Sequence, residues 1–189
     1  AATDNESPTF ADLTGDGKPE LVCITGGRYG YAAPDWSDPA KPWTFHPLSP
    51  DNKYGKFTHG MGLGDINADG RLDLLEKSGW WEQPAAGATS GPWKFNAVPF
   101  GRGTDPFIRG ADIFAYDVNG DKLPDVVTSL FAHGPGLVWF EQQRSGQGPI
   151  TWKMHMIMDS PEATADERKT WETTDKNVVF TELHVLQLG

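Results

Sequence analysis

Short apolar runs alternate with acidic, glycine-bearing gaps along the chain, and the alternation repeats. Apolar runs at Leu21 to Thr25, Leu74 to Leu75 and Val126 to Leu130 each follow a polar segment. Those segments align without gaps: DLTGDGKPE from Asp12, DINADGRLD from Asp65 and DVNGDKLPD from Asp117, at spacings of 53 and 52 residues. A strand-like run precedes each one and ends one residue before its first Asp. More of the period matches. Trp80-Trp81-Glu82-Gln83 aligns with Trp139-Phe140-Glu141-Gln142, and Trp43-Thr44-Phe45-His46 aligns with Trp93-Lys94-Phe95-Asn96 and Trp152-Lys153-Met154-His155. Runs this short, punctuated by turn residues, predict strands. Each unit therefore reads strand, acidic loop, strand, turn, aromatic strand, turn, and a last strand beginning at Trp. Four antiparallel strands in about 52 residues correspond to one blade of a β-propeller.

The fold class expected is all-β: a β-propeller of four-stranded antiparallel blades, with about three blades and one further strand present. Residues 1–189 form a single partial propeller domain with blades at about 6–50, 57–100 and 108–158. The first strand of a further blade is expected at 179–189, because the run from Phe180 through His184 to Gly189 resembles Phe57-Thr58-His59 through Gly64, just before Asp65. Propellers close with about four to eight blades. Three blades and a strand make an incomplete ring, so a fragment is expected, completed by the remaining blades or by another copy of the chain. The stretch Pro161 to Thr170 alone has a helical cast.

Charge and composition narrow the function classes. The formal net charge is −10, which opposes nucleic acid and anionic membrane surfaces as partners. With Gly 22, Pro 15 and Trp 8, the composition suits short strands and tight turns. No apolar run approaches the roughly 20 residues of a membrane span. The first residues lack a basic start and an apolar stretch, so no signal peptide is present in this chain. Cys23 is the one cysteine and lies in an apolar run, which predicts a small buried hydrophobe.

The acidic loops predict calcium. This hard cation takes about six to eight oxygens, and oxygens at alternate positions of a short loop can wrap it. Positions one, three, five and nine supply side chains: Asp12, Thr14, Asp16 and Glu20; Asp65, Asn67, Asp69 and Asp73; Asp117, Asn119, Asp121 and Asp125. Position seven supplies a backbone carbonyl, from Lys18, Arg71 and Leu123. Position six requires a positive φ and therefore favours glycine. Gly17 and Gly70 comply, but Lys122 does not, so the third site is expected to be the weaker. An EF-hand would need a Glu at position twelve and flanking helices. Position twelve is Cys23, Glu76 or Thr128, and Pro19 and Pro124 oppose helices. Up to three calcium sites are expected.

The loops and their period resemble FG-GAP (VCBS) repeats, the units of integrin-α-type propellers. That resemblance implies an ion in the hairpin between the first and second strands of each blade, on the bottom face, with a structural role. Phe57-Thr58-His59-Gly60, Phe131-Ala132-His133-Gly134, Leu183-His184 and the Trp-Trp-Glu-Gln and Trp-Phe-Glu-Gln runs are also similar to the propeller of bacterial proteins like aldos-2-ulose dehydratase. That second resemblance implies a metal-dependent elimination of water from an oxidised sugar. The cupin domains of such enzymes have no counterpart in these 189 residues.

The histidines fall into two groups. His46 and His155 share one position on the outermost strand, filled by Asn96 in the second unit, which predicts a structural role. His59 and His184 precede a loop by the same distance, beside the central channel, where the other units carry Glu6 and Ala111. His133 follows the second strand of its unit, on the same top face. Three imidazoles converging there would suit Zn2+ with an open position for catalysis. The blade-to-blade loops on that face carry Lys53, Tyr54, Lys56, Arg102 and Arg109, which suit an anionic or polyhydroxylated ligand. Two functions compete. One is a calcium-stabilised module that binds a carbohydrate or protein partner outside the cytoplasm, where millimolar calcium fills weak loops. The other is the catalytic propeller of a metal-dependent sugar lyase, with His59, His133 and His184 as candidate catalytic residues.

Overall fold

The computed structural model describes residues 3–51, 54–89, 92–100, 112–130, 136–146 and 148–158, together with the backbone of 178–180. The first sheet takes its strands in chain order: β1 (Thr9–Ala11), β2 (Glu20–Thr25), β3 (Arg28–Ala33) and β4 (Thr44–Pro47). In the second, β5 (Met61–Gly64), β6 (Asp73–Glu76), β7 (Gly79–Glu82) and β8 (Lys94–Ala97) repeat that order. The third is built on β9 (Ile113–Tyr116), β10 (Asp125–Ser129), β11 (Leu137–Gln143) and β12 (Thr151–Met158). These twelve strands pair antiparallel, as the alternation predicts. No helix occurs among the described residues, and none is long and apolar enough to cross a membrane. The Pro161 to Thr170 stretch lies outside the described residues.

A fifth strand, β13 (Val178–Phe180), lies on the outer edge of the third sheet, parallel to β12. Expected from sequence was an innermost strand of a new blade at 179–189. Instead a β-branched Val-Val-Phe run satisfies its backbone on the edge that β12 offers. Residues 181–189 of that expected strand lie outside the described residues.

The repeat extends to register. Leu21 pairs with Ala32, Leu74 with Trp81, and Val126 with Phe140. Counting on from these pairs, Gln83 and Gln142 hold the same place in their sheets, and Pro34 holds it in the first.

The sheets pack face on face. Leu13, Val22 and Tyr31 of the first unit are buried in one cluster with Leu74, Trp81 and Trp93 of the second. Leu75, Trp80 and Phe100 of the second are buried in another with Val126, Phe140 and Trp152 of the third. Each buried aromatic removes about 150–250 Å² from water, worth about 4–6 kcal/mol before ordering costs. Cys23 is buried as expected.

Two devices bring the second and third sheets close together. Gly62 on β5 faces β9 so tightly that a Cβ there would lie 2.0 Å from the Ile113 carbonyl oxygen. Secondly, Gln142 Nε2 donates across the interface to Ile66 O at 3.0 Å, and within its own sheet to Pro124 O at 2.8 Å. Gln83 repeats this one interface earlier, reaching Leu13 O at 3.0 Å and Leu72 O at 2.9 Å. Leu13 and Ile66 each directly follow the first Asp of their acidic loop, so these amides tie every described interface to a loop.

Candidate functional site

Each acidic loop is organised by its first carboxylate. Asp12 Oδ1 accepts the N–H groups of Gly15 (2.8 Å) and Asp16 (3.1 Å), and its Oδ2 accepts that of Gly17 (2.8 Å). Asp117 does the same for Gly120, Asp121 and Lys122 at 2.7, 3.1 and 2.9 Å. Asp65 holds Asp69 N at 2.9 Å and Gly70 N at 2.8 Å. The residue at position seven docks its N–H on the position-five carboxylate: Lys18 on Asp16 at 2.9 Å, Arg71 on Asp69 at 3.0 Å, and Leu123 on Asp121 at 2.8 Å. The loop conformation thus comes from Asp side chains satisfying turn amides.

That conformation demands positive φ at two positions, of which sequence reasoning found one. At position six stand Gly17 (84°), Gly70 (85°) and Lys122 (71°), so Lys122 adopts the strained backbone expected of it. Position four carries the same demand in Gly15 (76°), Ala68 (60°) and Gly120 (81°). The second and third loops each contain one non-glycine in a glycine conformation, so strain does not single out the third. Ala68→Gly and Lys122→Gly are each expected to stabilise the chain by about 0.5–1 kcal/mol, the relieved strain exceeding the added unfolded-state entropy. Urea melts of the two variants test this. A gain at Lys122 alone would leave the third loop as the strained one.

Position nine separates the loops more clearly. Asp73 Oδ2 accepts Ile66 N and its Oδ1 accepts Gln83 N, both at 2.9 Å. Asp125 repeats this with Val118 N at 3.0 Å and Gln142 N at 2.8 Å. Both carboxylates are buried braces between the loop and the end of the third strand. In the first unit Pro34 replaces the Gln and has no N–H to give. There the position-nine acid is Glu20, one methylene longer. Its Oε2 accepts Leu13 N and Thr14 N, while its Oε1 accepts the Thr14 hydroxyl at 3.2 Å. Glu20 consequently reaches into the loop, and carboxylate oxygens of Asp12, Asp16 and Glu20 all lie within 4.8 Å of one another. This is the one such gathering of three acidic, His or Cys ligands among the described residues.

The other two loops are neutralised differently. Asn67 Nδ2 donates to Asp69 Oδ2 at 2.8 Å, and the Arg71 guanidinium also binds that oxygen closely. Asn119 Nδ2 donates to Asp121 Oδ2 at 3.1 Å. Burial pushes Asp73 up to about 7, against the N–H groups of Gln83 and Ile66 that favour the carboxylate; the Asp69 charge adds to the rise. Asp125 is raised for the same reason, with Asp121 and Asp117 adding to it. A hard cation fits the first loop as it stands. In the second and third, Asn67 and Asn119 bind the position-five acids through Nδ2, and the position-nine acids are engaged by the strand-end N–H groups, so a cation must displace some of these bonds.

The opposite end of the first two sheets carries a buried polar group that sequence reasoning missed. Glu76 lies at the end of β6 and is 2% exposed. Tyr54 Oη donates to its Oε1 at 3.4 Å, and the Tyr54 ring meets Tyr29 edge-on at 4.4 Å. Tyr29 Oη is fully buried beside Glu76, without a partner of good hydrogen-bond geometry among the described residues. Burial, then the charge of Glu76, pushes this phenol well above its ordinary pKa. Lys77 is buried next in sequence. Glu76 entered the sequence analysis only as the twelfth residue of a rejected EF-hand. An acid directly after the apolar pair Leu74-Leu75 was the available signal.

His59 is 8% exposed, and its Nε2 lies 3.5 Å from Glu6 Oε2. The two residues hold the same slot in neighbouring units, so the slots do face one another. His133 and His184, the other members of the expected zinc cluster, lie outside the described residues, as do Lys53, Arg102 and Arg109. His46 stacks on Tyr31 with ring centroids 4.8 Å apart, and His155 on Trp139 at 4.3 Å. His155 Nε2 also meets Glu141 Oε2 at 2.6 Å. These two support their sheets, in keeping with the structural role expected for them.

Compared with known proteins, the chain matches no family model, no curated protein and no solved structure.

Proposed function

We propose that the chain is a calcium-braced β-propeller segment, working outside the cytoplasm as a binding module for a carbohydrate or protein partner. The observation that carries this reading is the first loop, where three carboxylates from positions one, five and nine converge within 4.8 Å. Two further loops share its Asp-anchored backbone. Calcium holds the hairpins and supplies no chemistry. The opposite end, with Tyr54 against Glu76 and His59 against Glu6, offers the fixed acceptors and phenol that hydroxyl-rich ligands require.

Calorimetric titration with calcium tests the cation part. The first loop is expected to bind most tightly, and Asp16→Ala to abolish that phase while sparing the others. Arg71→Ala frees Asp69 and should tighten the second loop. No saturable heat would overturn the reading. The pH dependence follows from Asp73. Its pKa without the ion is raised to about 7, and only the carboxylate binds calcium. Affinity at the second loop should therefore rise with pH, up to tenfold per unit below about 7, and level off above. A flat profile between pH 5.5 and 8 would remove Asp73 from the ligand set. A glycan array probed with the intact chain tests the ligand part. Binding that Tyr54→Phe weakens is expected, and an array blank with and without calcium would leave only a protein partner.

A further inference from the structure

The third sheet presents a face whose counterparts in the other two sheets are both covered. Leu13 and Ile66, just after the first Asp of their loops, are buried against the following sheet. Val118 holds that place in the third unit and is 41% exposed. Leu48 and Val98 are likewise buried, whereas Ile157, their counterpart in the sequence repeat and the residue skipped at a bulge in the β11–β12 ladder, is 47% exposed. Tyr31 and Trp80 are buried, and Trp139 is half-buried.

The covered faces share a polar key. Leu13 O and Ile66 O each accept the side-chain amide of a Gln from the next sheet, at 3.0 Å in both cases. The Val118 carbonyl stands third in this series. We propose that the open face of the third sheet docks a fourth sheet of the same repeat, one carrying Gln two residues beyond the aromatic of its third strand.

A second copy of this chain does not meet that description. Its first sheet is the candidate to dock, and it carries Pro34 at the Gln position and Ala32 where Trp81 and Phe140 fill the two established interfaces. It brings neither the amide donor nor the aromatic volume. The inner strand adds a steric condition. Gly62 and Gly64 admit β9 to within Cβ-excluding distance. Their counterparts on β9 are Phe114 and Tyr116, 61% and 68% exposed. The incoming inner strand must therefore present small residues to these rings or stand further out than β9 does from β5. The proposal depends on inter-sheet packing alone, so its failure would leave the calcium reading standing.

The test extends the full chain by appending, after Gly189, a second copy of residues 57–100 that includes Gln83 and carries Met61→Ala and Leu63→Ala, so that small residues meet Phe114 and Tyr116. Amide exchange over residues 113–118 is expected to slow at least tenfold relative to the unextended chain. Gln83→Leu made only in the appended copy should return it to the original rate. No slowing, or slowing that ignores the substitution, overturns the proposal. A second variant guards against an appended copy that stays unfolded. Ala32→Trp combined with Pro34→Gln in the unextended chain should convert its first sheet into a competent occupant and drive concentration-dependent head-to-tail association. A variant that sediments like the parent overturns the proposal. So does a parent chain that dimerises with residues 113–118 protected, because a second copy would then be the occupant.

Discussion

Chelating calcium is expected to lower the melting temperature by roughly 15–30 °C on the reading proposed above. A ligand that binds only the native state stabilises it by about 2.7 kcal/mol per site at a hundredfold excess over its Kd. Three sites would contribute about 8 kcal/mol, and for a chain of this size each kcal/mol shifts the midpoint by about 2–4 °C. The physical origin is local. Asp12, Asp16 and Glu20 lie within 4.8 Å of one another, so a cation bound among them meets three carboxylates at once. The loops also anchor the inter-sheet amides through Leu13 O and Ile66 O. Loosening a loop consequently loosens the sheet that follows it. The measurement is a thermal melt by circular dichroism in excess calcium and in excess chelator. Coincident melts would show that the Asp-to-amide bonds alone hold the loops, and the calcium role would fall.

Strand positions were legible from sequence because they rest on period and turn chemistry. β1, β5 and β9 end at Ala11, Gly64 and Tyr116, one residue before the first Asp of each loop. The strain at Lys122 was legible because position six of such a loop has a known backbone. The matching demand at Ala68 was not, since alanine carries no signal of positive φ. The third loop was read as the weaker from Lys122 at position six, while the three position-nine acids were read as equivalent ligands. Their difference arises across strands: whether an N–H at the end of the third strand claims the position-nine acid. Gln83 and Gln142 donate one, and Pro34 cannot. No pattern within a single loop shows this. The Glu76 group was hidden for a similar reason. Its partner Tyr54 lies 22 residues earlier, in a connection between sheets, and only the packing of two units brings them together. The fifth strand was misplaced because apolar residues at 178–180 fit an edge strand as well as an innermost one.

Replacing Gln83 by Leu is expected to cost more stability than replacing Gln142, although the two residues occupy identical places in the repeat. Both side chains are buried, and Leu has nearly the same volume, so little of the cost is cavity. What is lost in both is a pair of amide bonds to main-chain carbonyls; Gln142 Oε1 also accepts Arg144 Nε at 2.7 Å, but Arg144 is half-buried and water can take that place. Gln83 Nε2 serves Leu13 O and Leu72 O. Leaving a buried acceptor unsatisfied costs about 1–3 kcal/mol, so two give about 2–6 kcal/mol. Gln142 Nε2 serves Ile66 O and Pro124 O, but Arg144 Nη2 also donates to Ile66 O at 2.8 Å. With Gln142 gone, that carbonyl keeps a charged donor, and about 1–3 kcal/mol remains to be lost at Pro124. Removing Arg144 as well should raise the cost of Gln142→Leu to that of Gln83→Leu. The two single variants, Arg144→Ala and the Gln142→Leu, Arg144→Ala double variant, compared by urea unfolding in saturating calcium, decide this. Equal losses for Gln83→Leu and Gln142→Leu would mean that Arg144 does not share the carbonyl in solution. A negligible loss for both would mean that apolar packing alone joins the sheets.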